Sequence, residues 1–325
     1  MKLWRNVLVH VDGRLDTRPA LEKSLLVAEA FGGRVIAFDS IEPAPGALPF
    51  HFPTLRVDHL VEFAAAARAE QLREQLAALE LRVPVEAMVG RGAPGRALLG
   101  CAARSETDLI VKATSAADVR QMTVSGAAAL HLLRASPVPV WLYAPPVRRS
   151  GRVVAVVNLS GMASERDQLD EHVMLAAARL SLLEPAELHV VCVADRARDR
   201  LYESILRPAQ YRRHLAKDRG ELRRSLADLT TRLGPRSVPH LVEGNAVEAL
   251  EKIVLELEAD VVTLGRHDAG ARTGMLGVYF AERLFCRIDR SVLLVTPERG
   301  SVRARANPGT RRGLSSVDTS GARQS

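Results

Sequence analysis

The strongest constraint on this chain is an order of segments that completes itself by about residue 143 and then begins again. Short apolar runs at 6–12, 35–38, 83–89, 108–111 and 138–143 alternate with stretches of helical periodicity, and the same order returns between 153 and 296. Runs that are apolar throughout read as strands covered on both faces. Strand and helix alternating five times over predict an α/β fold with a parallel, doubly wound sheet and right-handed crossovers. A period of roughly 150 residues predicts two such five-stranded sheets in tandem. Asp12 and Asn158 occupy matching places in the two copies, as do Asp108 and Asp260. The division expected is 1–147, 148–298 and a tail at 299–325, with Pro145, Pro146, Ser150 and Gly151 as the linker.

Within the copies, Leu21, Leu25 and Ala28 form a helical stripe stopped by Gly32 and Gly33. Pro84 near the start of the third strand suggests a sheet edge. Residues 202–233 read as one long arginine-rich helix ended by Gly234 and Pro235. Its acids at Asp218 and Glu221 make it first a solvated face and second a basic contact.

The richest stretch is 259–297. An apolar run ends at Gly265, four glycines fall between 265 and 277, and a helix from Val278 and a strand from Ser291 follow. A glycine-rich turn leading from a strand into a helix N-terminus is where backbone N–H groups converge on a phosphate. The plain alternative is that these glycines only permit tight turning.

These residues resemble the universal stress protein family. Asp-Val-Val-Thr-Leu-Gly at 260–265, the glycine loop, Ala281-Glu282 and Ser-Val-Leu-Leu-Val at 291–295 carry the likeness in the rear copy. Pro19-Ala20-Leu21, Phe31-Gly32-Gly33, 108–112 and 137–141 extend it to residues 1–297. The resemblance implies an adenine nucleotide alpha hydrolase-like, flavodoxin-like fold and an internal pseudo-dimer, with the fifth strands at 138–143 and 291–296 facing one another. It implies a stress-response protein of the cytoplasm, with resistance to DNA damage among its roles, acting by binding and not by catalysis. The ligand implied is ATP, a related nucleotide or another small molecule.

ATP-binding members carry Gly, two residues, Gly, nine residues, then Gly followed by Ser or Thr. In the rear copy Gly265 fits the first position, but Asp268 stands at the second, and Gly277 comes one residue early and is followed by Val278. In the front copy the spacing is intact, but Ala113 and Ala116 replace glycines and Gly126 is followed by Ala127. The acid expected at the end of the first strand is kept as Asp12 and becomes an amide in Asn158. The ligand is therefore expected in the rear copy, at Asn158, Val193, Leu264, Gly265, Asp268, Gly274, Gly277 and Val278. The degenerate front equivalents are Asp12, Ala113, Ala116, Gly126 and Ala127.

Other classes remain open at this point. A weak ATP hydrolase or transferase would need a metal, for which Asp12 and Asp268 are the available carboxylates; no closed ligand set is visible, so no metal site is expected. His267 and Asp268 read as solvated loop residues before an acid–base pair. Lys112 reads as a lysine reaching out at a sheet end before a phosphate contact, and His10 as a packed core residue. The net charge of +7 is concentrated in the tail, where six arginines face one aspartate, so nucleic acid is not an expected partner. An adaptor role through that tail and the arginine-rich helix is the third alternative. A protein partner or a homodimer fits the family. The tail holds too few large apolar residues to fold and is expected to be disordered. Three cysteines far apart suit reduced thiols, and no apolar run is long enough to span a bilayer.

Overall fold

The structure is a computed structural model; it describes residues 2–12, 17–42, 57–144, 150–159, 165–233, 237–266 and 278–296. The front half runs β1 (Asn6–His10), α1 (Arg18–Ala30), β2 (Arg34–Ile41), α2 (Val57–Ala77), β3 (Val85–Arg91), α3 (Pro94–Arg104), β4 (Leu109–Ala113), α4 (Ala116–Arg120), α5 (Val124–Ala135) and β5 (Val140–Tyr143). The rear half runs β6 (Arg152–Val157), α6 (Glu165–Leu183), β7 (Glu187–Asp195), α7 (Arg196–Ile205), α8 (Pro208–Leu233), β8 (Ser237–Gly244), α9 (Ala246–Glu256), β9 (Val261–Gly265), α10 (Val278–Ile288) and β10 (Ser291–Val295).

Each half is a parallel five-stranded sheet, and the two are hydrogen-bonded into one of ten strands in the order β3-β2-β1-β4-β5-β10-β9-β6-β7-β8. The expected pair of sheets thus forms, without a gap between them. The join is antiparallel, with Val292 opposite Leu142, Leu293 opposite Trp141 and Leu294 opposite Val140. The fifth strands face one another as the sequence suggested, because pairing removes an exposed edge from each half. Central strands β4 and β10 are buried at every position, whereas the edges β3 and β8 are mostly half-exposed. Pro84 lies just before one edge strand and Pro239 within the other, where a missing N–H can face away from the ladder.

Two apolar layers cover the sheet, and each runs through both halves. One holds Trp4, Leu21, Val27, Trp141, Val173 and Leu226; the other Leu98, Leu132, Leu250, Leu284 and Phe285. The repeat markers Asp108 and Asp260 have a structural task. Asp108 accepts the N–H of Asn6, and Asp260 accepts those of Ser150 and Gly151, fastening the start of each half's first strand. Side chains tie the seam further. Arg134 forks onto Glu282 at 2.6 and 2.9 Å, and Ser291 exchanges hydrogen bonds with the backbone of Ala144.

Three local expectations need correction. The helix expected over 202–233 is two, α7 and α8, because Pro208 has no N–H to continue a helix and favours a first turn. Its face is not wholly solvated: Arg219 is buried and pairs with Asp199, Asp218 and Glu243. The short helix α4 was not anticipated. The proline-rich stretch 43–56, most of the linker and the tail lie outside the described residues.

Candidate functional site

In both halves the strand order reverses between the first and fourth strands, so the ligand crevice expected for such sheets opens beyond the ends of β1 and β4 in front and of β6 and β9 in the rear.

In front, Asp12 lies just past β1, half-buried, and Ala113 closes β4. The backbone that would cradle a phosphate is committed elsewhere. The side chain of Ser115 accepts the N–H of Asp118 at 3.0 Å while the Asp118 carboxylate accepts the N–H of Ser115 at 3.2 Å, a capping box that starts α4. The N–H of buried Ala116 donates to Asp289 of the rear half, and that of Gly126 to the Thr123 hydroxyl. Burial pushes the Asp118 carboxyl up, but hydrogen bonds from Ser115 and Thr123 outweigh it and hold the group below its ordinary range. A charged carboxylate therefore stands at this turn, among the Ser115 and Thr123 donors. Gly126 is required by packing: a Cβ there would lie 2.1 Å from the Asp118 carbonyl oxygen. Ala127 is exposed on α5, its N–H spent on Thr123.

Beneath these loops lies a sealed polar cluster. Lys112 is 0 % exposed, and its ammonium lies 3.1 Å from His10 Nδ1 and donates to Ser125 Oγ at 3.0 Å. It neither reaches out to water nor meets a phosphate, which corrects the sequence expectation; register places it beside His10 on the adjacent strand. Burial pulls the ammonium down to about 8, against Asp12, Asp118 and Asp39, which raise it. Burial and then the Lys112 charge hold His10 well below its ordinary value. The core placement expected of His10 is what the structure shows.

The rear half differs at each of these points. Asn158 is buried beyond β6, and its N–H is received by both carboxylate oxygens of Asp170 at 3.1 Å. Asp170, itself buried, comes from the inward face of α6. Val193 of β7 and Leu264 of β9 are buried nearby in the sheet, while Gly265 ends β9. A Cβ at Gly265 would meet Leu169 Cγ at 2.8 Å, so its glycine serves the close approach of α6. Val278 opens α10; His267, Asp268, Gly274 and Gly277 lie outside the described residues. By the repeat, Val156 and Leu264 stand where the front half has His10 and Lys112, so the rear crevice has an apolar floor.

Asp170 was missed by sequence reasoning, although a signal existed. The buried positions of α1 (Ala20, Leu21, Ser24, Val27, Ala28) match those of α6 (Leu169, Asp170, Val173, Ala176, Ala177). An acid on that stripe, where the front copy has Leu21, marks a buried carboxylate with a polar partner. Among the described residues no group of three or more His, Cys, Asp or Glu side chains could hold a metal. Burial raises the Cys192 thiol to about 11, which keeps it protonated and inert.

The sequence profile of the universal stress protein family matches twice, over residues 3–144 and 163–296. The chain belongs to the universal stress protein family. Relatives of similar length align with nearly the whole chain. Over 308 residues it is 22 % identical to universal stress protein E of Salmonella typhi, covering 92 % of this chain and 96 % of that one. The same identity over 309 residues, with the same coverage, holds for universal stress protein E of Escherichia coli (strain K12). The crystal structure of a universal stress protein from Archaeoglobus fulgidus superposes with a TM-score of 0.62 at 16 % identity, over 90 % of this chain and 96 % of that one, and so shows the shared fold. Among the described residues no helix is long and apolar enough to cross a membrane.

Proposed function

We propose that this universal stress protein binds a nucleotide-like ligand in its rear half alone, with the front half as a filled, structural partner, and that it acts by binding and not by turnover. The observation that carries this reading is the contrast at matched positions. In front, the amides of Ser115, Ala116, Asp118 and Gly126 are satisfied within the protein and an Asp118 carboxylate guards the place. In the rear, a buried Asn158 braced by Asp170 stands over an apolar floor. An amide side chain both donates and accepts, which suits the edge of a base or a ribose hydroxyl. The reading assigns the anion to the glycine loop between β9 and α10. Cytoplasmic location, a role in survival of stress including DNA damage, and a protein partner or homodimer go with the family and complete the proposal.

Calorimetric titration of the whole chain with ATP and AMP tests it. One site per chain is expected, weakened about tenfold by Asn158→Ala, the size of one lost hydrogen bond to a buried polar group, and unchanged by Asp12→Ala. Loss of binding in Asp12→Ala alone would overturn the assignment to the rear half. Magnesium-dependent ATP turnover would overturn the non-catalytic reading.

A further inference from the structure

The rear half holds a cluster of titratable side chains that the candidate ligand site does not use. His189 of β7, buried, and His240 of β8, half-buried, face one another across the last pair of strands. His189 Nδ1 lies 2.9 Å from His240 Nε2, and the ring centroids are 5.2 Å apart. The other nitrogen of His189, Nε2, lies 3.2 Å from the Glu187 carboxylate, and Arg152 of β6 stands 3.9 Å from that same carboxylate. Strand alternation puts all four on the face covered by α9. The buried side of α9 is apolar at Leu250 and Val254; its Glu248, Lys252 and Glu256 are exposed, and its Glu251 is paired with Arg287 of α10.

The front half has no such pair. Leu8 stands opposite Ile36 there as Val154 stands opposite His189, and Met88 takes the place of His240 on the outer strand. The two outer strands are otherwise alike, each mostly half-exposed and each with a single neighbour, β2 for β3 and β7 for β8. The contact that joins the outer strand to its neighbour is therefore apolar in front and titratable in the rear.

A neutral imidazole carries one N–H and one lone pair, so two facing rings bond as N–H to N; an imidazolium carries two N–H groups and no acceptor. The Glu187 charge beside Nε2 favours the proton there, which leaves Nδ1 of His189 to accept the N–H of His240. One added proton leaves that bond in place. A second sets N–H against N–H. Burial holds both rings below their ordinary range, against the Glu187 charge, which raises them.

We propose that the His189–His240 pair is an acid latch: neutral rings hold the outer strand β8 onto β7, and protonation of both releases that edge of the rear half. An outer strand with one neighbour can open while the rest of the sheet stays folded. Opening exposes both rings to water, where they take up protons freely, so acid favours the open edge.

Hydrogen exchange of the full chain, corrected for the intrinsic pH dependence of amide exchange, tests it. Opening of β8 (Ser237–Gly244) is expected to rise at least about tenfold from about pH 7 to about pH 5, the response of two rings that titrate near 6.5 once exposed. Opening of β3 (Val85–Arg91) should change less than β8 does. The double variant His189→Ile with His240→Met, which installs the front half's residues, should remove the rise at β8. If that variant does not fold by circular dichroism, His240→Gln replaces it with the same expected result, because its amide still donates to His189 and does not titrate. A β8 that opens no more at pH 5 than at pH 7, an equal rise at β3, or a rise that persists in the variant would each overturn the proposal.

Discussion

Lys112 Nζ lies 3.1 Å from His10 Nδ1, and both side chains are sealed from water beneath the front crevice. The ammonium titrates near 8 there, against 10.5 for an ordinary lysine, with burial as the leading cause. Between those two values the unfolded chain holds a proton that the folded chain has released, so stability rises with pH across that window. The size is roughly 3 kcal/mol. His10, held neutral well below 6.5, acts in the same direction, and its contribution is lost as pH falls below 6.5. Denaturant unfolding of the wild type and Lys112→Met at several pH values checks this. The difference between them should move in favour of the wild type by roughly 3 kcal/mol from pH 8 to 10.5. Parallel curves would show that Lys112 is not the group responsible.

Gly126 and Gly265 make different demands. A Cβ at 126 would strike the Asp118 carbonyl at 2.1 Å, and the nearest atoms are all backbone. At 265 the nearest atoms belong to the side chains of Leu169 and Val173, which can turn aside. Gly126→Ala should therefore cost about 3 kcal/mol or more and undo the α4 cap, and Gly265→Ala about 1–2 kcal/mol. Thermal unfolding ranks them, and equal costs would contradict the packing described.

The seam should weaken when its bidentate pair is cut. Glu282 is nearly covered, at 11 % side-chain exposure, while Arg134 is largely exposed. Arg134→Met leaves the carboxylate without its two donors and should destabilise by about 1–2 kcal/mol. Glu282→Gln, which still accepts, should cost less. The comparison of the two melting curves is the check, and a larger loss in Glu282→Gln would refute it.

Asp170→Leu gives the rear helix the front copy's residue at that position. It leaves the buried N–H of Asn158 without its acceptor, at a cost of about 1–3 kcal/mol. If Asn158 is the ligand's polar contact, ATP affinity should fall with it. Calorimetry at a temperature where the variant is folded measures this, and unchanged affinity would detach Asp170 from the site.

A candidate site could be proposed from the sequence because the repeat allowed each front residue to be read against its rear counterpart. Ala113, Ala116 and Ala127 in place of the family's residues carry the expectation of a front copy without a phosphate cradle. The means were not legible. Nothing in local sequence says that Ser115 and Asp118 would cap a five-residue helix, or that Asp289 from the other half would take the Ala116 N–H. Lys112 was misjudged because a lysine at a strand end ordinarily reaches water, and only the packing of His10 and Ser125 around it reverses that. The break at Pro208 was legible and was overlooked.

The sequence by itself determined the strand–helix order, the duplication, the family and the choice of fifth strands as the meeting edges. The order and the duplication follow from apolar periodicity, and the family and the meeting edges from the motif resemblance that the residues carry. Tertiary structure alone decided that the halves share one ten-stranded sheet, that Asp170 braces Asn158, and that Lys112 is sealed beside His10 and Ser125. Each of those depends on groups far apart in the chain arriving at one place, and the burial that fixes their protonation and hydrogen bonding exists only once both copies have folded together.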